Sequence, residues 1–110
     1  MATVLLANLA PLVQRGLSQV LSEAGATSVA SERRIVAQAR RVRPDMVVLG
    51  LGRGSERTLA ARIVAALPET KVILWPRDED RMEVLARGRA ARLEPARPDA
   101  LLEELGCRPT

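Results

Sequence analysis

Short, unbroken apolar runs alternate along the chain with stretches whose apolar positions recur every three or four residues. Thr3-Val4-Leu5-Leu6-Ala7 is a run of strand length, stopped by Asn8 and Pro11. Leu12, Val13, Gly16, Leu17, Val20, Leu21 and Ala24 then share one helical face, and Gly25 stands where that helix should end. Gly16 costs such a helix about 1 kcal/mol against Ala, so a packing reason for it is expected. Thr27-Ser28-Val29-Ala30 is a weak strand. Ser31 is placed to cap a second helix with Ile35, Ala39 and Val42 inward, and Pro44 closes it.

Met46-Val47-Val48-Leu49 shows no polar alternation, the pattern of a strand covered on both faces in a parallel sheet. A glycine-rich loop follows, Gly50-Leu51-Gly52-Arg53-Gly54-Ser55. Leu59, Ile63 and Leu67 mark a third helix, closed by Pro68, and Lys71-Val72-Ile73-Leu74-Trp75 is another covered strand, ended by Pro76. The segment from Asp78 to Arg87 reads as a fourth helix that buries Met82, Leu85 and Ala86 and stops at Gly88. Ala91-Arg92-Leu93 is a last strand, and Pro98 with Asp99 opens a final helix with Leu101, Leu102 and Leu105 inward. Five rounds of strand then helix predict an α/β fold. The expected architecture is a flavodoxin-like, doubly wound, five-stranded parallel sheet of order 2-1-3-4-5 with helices on both faces. The 110 residues suffice for one such domain, 1–106, followed by a short tail at 107–110. In folds of this kind function gathers at the carboxyl ends of the strands. Those ends are Asn8 and Leu9, Gly50 to Ser55, Trp75 to Arg77, and Glu94 with Pro95.

Composition narrows the chemistry. The chain has no His, Tyr or Phe, one Trp and one Cys. Without histidine, most catalytic triads and most zinc sites are excluded. A single Trp gives no platform for stacking bases. No run approaches the ~18 apolar residues of a membrane span, and the start lacks a basic region before its apolar stretch, so neither a membrane segment nor a signal peptide is expected. The lone Cys107 supports no disulfide framework, and a cytoplasmic location is expected. No metal or other cofactor is expected.

The net charge is +4, and 16 of the 17 basic residues are arginines. Only Arg33, Arg34, Arg40, Arg41 and Arg43 cluster, around the second helix, and a solvated helix face is favoured over a nucleic-acid contact. Gly50, Gly52, Gly54 and Ser55 form a candidate ligand loop, because glycine lets backbone N–H groups approach an anion. The spacing matches neither dinucleotide nor nucleotide fingerprints, and a plain flexible loop is the favoured reading. Asp78, Glu79 and Asp80 read as acids at a helix start. Cys107 has no basic neighbour to activate it. Trp75, at a strand end beside Pro76, is either a filler of space or an interface anchor.

Taken together, Val4-Leu5-Leu6-Ala7, Pro11-Leu12-Val13-Gln14-Arg15-Gly16-Leu17, Arg43-Pro44-Asp45-Met46-Val47-Val48-Leu49, Leu67-Pro68-Glu69-Thr70-Lys71-Val72-Ile73-Leu74 and Glu94-Pro95 resemble the receiver domain of bacterial two-component response regulators, in particular the NarL/FixJ type. The resemblance runs from about residue 3 to residue 105. It implies phosphoryl transfer to an aspartate at the end of the third strand. An acidic pair would hold Mg²⁺, and a hydroxyl and a lysine would clamp the phosphate. This chain departs at each position. Gly50 stands at the acceptor, Asn8 and Leu9 at the acidic pair, Trp75 or Pro76 at the hydroxyl, Glu94 at the lysine and Arg92 near the aromatic switch. The resemblance therefore implies a degenerate receiver, a pseudo-receiver that is no enzyme and cannot be phosphorylated in the usual way. Most of that family carry a helix-turn-helix output domain, and no segment here reads as one.

The expected function is a regulatory or protein-interaction module that binds a second copy or a protein partner, with Trp75, Met82, Arg87 and Arg92 as candidate interface residues. The alternatives are a small-molecule sensor using the remodelled pocket and, less favoured, nucleic-acid binding by the arginine cluster.

Overall fold

In a computed structural model, residues 2–31, 33–52 and 54–106 are described; Arg53, Cys107 and the rest of the 107–110 tail lie outside the described residues. The elements run β1 (Thr3–Ala7), α1 (Pro11–Glu23), β2 (Thr27–Ser31), α2 (Ile35–Val42), β3 (Met46–Gly50), α3 (Glu56–Ala66), β4 (Lys71–Trp75), β5 (Arg81–Leu85), β6 (Arg92–Pro95) and α4 (Pro98–Leu105). The fold is α/β. Its six strands lie in the order β2-β1-β3-β4-β5-β6.

The first four strands are parallel and follow the expected order. Their apolar runs split by parity between two cores, as strands covered on both faces require. Val4, Leu6, Met46, Val48 and Ile73 point to one side, where Leu17 and Leu21 of α1 and Leu101 and Leu102 of α4 cover them. Leu5, Ala7, Val47, Leu49, Val72 and Leu74 point to the other, under Ala39 of α2 and Ala60 and Ile63 of α3. Helices thus cover both faces.

Beyond β4 the chain departs from the expected parallel sheet. The segment read as a helix from Asp78 to Arg87 contains a strand instead, and β5 runs antiparallel to β4, pairing Ile73 with Val84 and Leu74 with Glu83. β6 returns antiparallel to β5. Two physical facts explain the correction. The five residues between Trp75 and Arg81 suit a hairpin connection, whereas a parallel crossover needs a dozen or more. Arg81-Met82-Glu83-Val84 also alternates strictly, and Met82 and Val84 are both buried in the first core. Met82 and Leu85 satisfied a helical spacing as well. The free edge of β4 has backbone N–H and C=O groups to satisfy, and a strand supplies partners along that edge where a helix cannot.

Smaller expectations also shift. Ser31 ends β2 rather than capping α2; that helix starts at Ile35 after Arg34 in a left-handed conformation, φ 51°. Gly16 is exposed, and a Cβ added there would meet no neighbouring atom within 4 Å, so no packing reason for it appears. Gly25 does take a left-handed φ of 83° just past α1, as a helix exit demands. At the edge, Arg92 of β6 hydrogen-bonds Glu104 of α4 at 2.6 Å and Glu94 at 2.8 Å, while the Lys71 Nζ donates to Glu104 at 3.2 Å. This network ties the new hairpin to the last helix. No helix of the described chain is long and apolar enough to cross a membrane.

Candidate functional site

The strand order reverses between β1 and β3, the place where ligands settle in open α/β sheets. A cleft of about 710 Å³ opens there, above the carboxyl ends of β1, β3 and β4. Asn8, Leu9, Gly50, Gly52, Ser55, Trp75 and Pro76 all line it. Three of the strand ends named from sequence are therefore brought together, and the fourth, Glu94 with Pro95, is not among the lining residues.

Asn8 turns the chain out of β1 in a left-handed conformation, φ 56°, which Asn tolerates better than most residues. Its side-chain amide donates to the Gly50 carbonyl at 3.1 Å and to Glu56 Oε1 at 3.3 Å. The backbone of that turn lies flat on Gly50. A Cβ built on Gly50 would run into the Asn8 carbonyl oxygen and come within 3.0 Å of the Asn8 carbonyl carbon and 3.2 Å of Leu9 Cα. These are backbone atoms and cannot swing aside. Glycine at position 50 is a steric requirement of this packing.

The glycine loop is likewise committed. Glu56, the first residue of α3, is buried with 3% of its surface exposed. Its Oε1 accepts from the Gly52 N–H at 2.9 Å and its Oε2 from the Gly54 N–H at 2.7 Å. The N–H groups that glycine spacing made available to an external anion are turned onto the chain's own carboxylate, which also sits at the favourable end of the α3 dipole. The loop is held by these bonds, not left plainly flexible. Glu56 was not legible as a site residue, although an acid directly after a glycine-rich loop and at a helix start was the available signal.

The rest of the cleft is half apolar. Val13, Ile35 and Leu59 form walls, and Arg77, named from sequence with its strand end, adds a polar edge together with Gln14 and Ser31, which sequence reading had not placed in a site. Trp75 is partly buried, packing one side against the first core while lining the cleft with the other. Both roles considered for it, filler and surface, are thus physically open to one ring.

Other candidates fall elsewhere. Gly54 lines an adjoining recess with Gly52, Pro76 and Arg77. Glu94 and Arg92 stand on β6, two strands from β4, and bind each other rather than lining the cleft. Glu94 therefore sits apart from Gly50 and Asn8. Met82 is fully buried and offers no surface to a partner. Arg87 lies past β5, beside a separate groove. Of the arginine cluster, Arg33 and Arg34 precede α2, while Arg40 and Arg41 lie in its last turn and Arg43 just beyond it, about 12 Å away along eight residues of helix. No family model matches the chain, and no curated protein matches it either.

Proposed function

We propose that this chain is a degenerate receiver-like domain that acts without phosphorylation, as a non-enzymatic interaction module in bacterial signalling or transcriptional control, working in the cytoplasm. The observation that carries the reading is the contact between Gly50 and the Asn8 backbone. The position where the resemblance calls for a phospho-acceptor is one where no side chain fits. Glu56, the carboxylate that lines the same cleft and accepts from Asn8, is spent on the backbone of the loop. The parallel order β2-β1-β3-β4, with helices on both faces, accords with a flavodoxin-like ancestry in which the antiparallel strand β5 stands in place of the fourth helix.

The test is an NMR titration of the full chain with beryllofluoride and Mg²⁺. The expected result is an unchanged spectrum around Asn8 and Gly50. Saturable, Mg²⁺-dependent shifts there would overturn the reading.

A second reading, a small-molecule sensor, is favoured by one observation. The cleft at the strand-order reversal has the volume of an ordinary ligand site and mixes apolar walls with the polar ends of Asn8, Gln14 and Arg77. Trp75 lines it, so a ligand would change the fluorescence of the chain's single tryptophan. A metabolite-library screen that leaves this emission unchanged would set this reading aside.

A further inference from the structure

A sheet of six strands spaced about 4.8 Å apart is wide enough for about three helices per face, since packed helices lie roughly 10 Å apart. Each face here carries two. On the α1/α4 face the last strands are nevertheless sealed, because α4 seats Leu101 and Leu102 in the core that holds Met82 and Val84. On the α2/α3 face no helix among the described residues lies over the hairpin, and only Arg57 of α3 reaches it, at Glu83. Leu85 is half-buried there, and Leu93, paired beside Glu83 on the same side, is 61% exposed.

Between α3 and the start of the β5–β6 turn lies a groove of about 540 Å³. Its floor is Ala61, Val64, Ala65 and Leu85, and its rim carries Arg57, Arg87 and Arg89. Arg57 is engaged with Glu83. Arg87 and Arg89 are exposed and form no ion pair among the described residues. An apolar floor whose rim carries two arginines without an ion pair among the described residues fits an amphipathic helix bearing acidic flanks. A second copy of this chain fits poorly face to face, because the same arginines would meet across the two-fold axis.

We infer that the groove between α3 and the β5–β6 hairpin docks an acidic amphipathic helix of another protein, which supplies the missing third helix of that layer. The inference rests on the interaction-module reading and gives it a surface and a partner chemistry.

The experiment places the photo-crosslinker p-benzoylphenylalanine at Ala61, at Leu93 and, as a comparison, at Gln14 on the cleft rim of the full chain, expressed in its native cells. Mass spectrometry then identifies the captured segment. The expected result is capture from positions 61 and 93 of an acidic helical segment of another protein. The double variant Arg87→Glu/Arg89→Glu should reduce that product at least tenfold while keeping the wild-type thermal melt. Capture of a second copy, of a basic or extended segment, or of a product indifferent to the charge reversal would overturn the inference. Capture from position 14 alone would overturn the groove and leave the interaction-module reading standing. Capture from none of the three would overturn both. One position in the groove and one on the adjoining hairpin face are used so that one misfolded variant does not decide the matter.

Discussion

The Asn8 carbonyl oxygen occupies the space where a side chain on Gly50 would begin. One short turn thereby fixes the identity of a residue 42 positions away, and the Asn8 amide locks the pair by donating to the Gly50 carbonyl at 3.1 Å.

Gly50→Ala is expected to destabilise the fold by roughly 1–3 kcal/mol, the ordinary range for forcing an atom into packed space. Gly50→Asp should cost at least as much, because its carboxylate is buried against a carbonyl oxygen as well. Urea denaturation of both variants measures this. A Gly50→Asp protein as stable as wild type would show that the turn yields easily and would remove the steric argument.

Glu56→Ala leaves the Gly52 and Gly54 N–H groups without their acceptor. The expected loss is about 1–3 kcal/mol, the scale of hydrogen bonds to a charged acceptor in a partly exposed loop. Amide exchange at Gly52 and Gly54 should accelerate far more than exchange in β3. Unchanged exchange at both glycines would mean that the carboxylate does not hold the loop.

The Glu104 carboxyl gives a pH dependence with a defined sign. Partial burial pushes its pKa up, but the hydrogen bonds from Arg92 and Lys71 outweigh that and hold it below the ordinary glutamate value. The Arg92 guanidinium is correspondingly raised, first by its hydrogen bond to Glu104. A carboxyl depressed on folding contributes stability that is fully present above the unfolded value of about 4.3 and fades as the pH falls through the lower folded value. Glu104→Gln should therefore flatten the decline of stability below about pH 4. Because the side chains are partly exposed to solvent, the effect should be modest and should shrink in high salt. Urea midpoints from pH 7 to pH 3, with and without salt, decide it.

Met82→Ala is expected to cost about 2–5 kcal/mol, as for other fully buried methionines, and Glu83→Ala much less. Val84→Pro should prevent folding, because it removes an N–H from the ladder between β4 and β6. A folded Val84→Pro protein would contradict the strand.

Trp75→Ala should fall between the outcomes for a filler and for a surface anchor. Its ring is only partly buried, so about 2 kcal/mol of stability is expected, less than the 3–5 kcal/mol of a fully buried aromatic. A thermal melt indistinguishable from wild type would place the ring wholly outside the core.

Through β4, about two-thirds of the chain, the fold was legible in the order of residues alone. Runs such as Val4-Leu5-Leu6 and Val47-Val48-Leu49 have no polar face, so they can only be strands covered on both sides, and the helical stretches between them are long enough to cross over. The resulting order placed Asn8, Gly50 and Trp75 at neighbouring strand ends, and the cleft found there was legible in advance. From Asp78 onward the sequence was ambiguous. In five residues, Met82, Val84 and Leu85 satisfy both a period of 2 and a period near 3.6, and the neighbouring acids suit a helix start as well as a turn. Only the tertiary structure chose, because the open edge of β4 rewards a strand with a ladder of hydrogen bonds. The same holds for Glu56. Nothing local distinguishes a helix-starting acid that faces water from one that folds back onto glycine N–H groups. That choice depends on where β1, β3 and α3 meet in space, which is a property of the assembled sheet and not of any one segment.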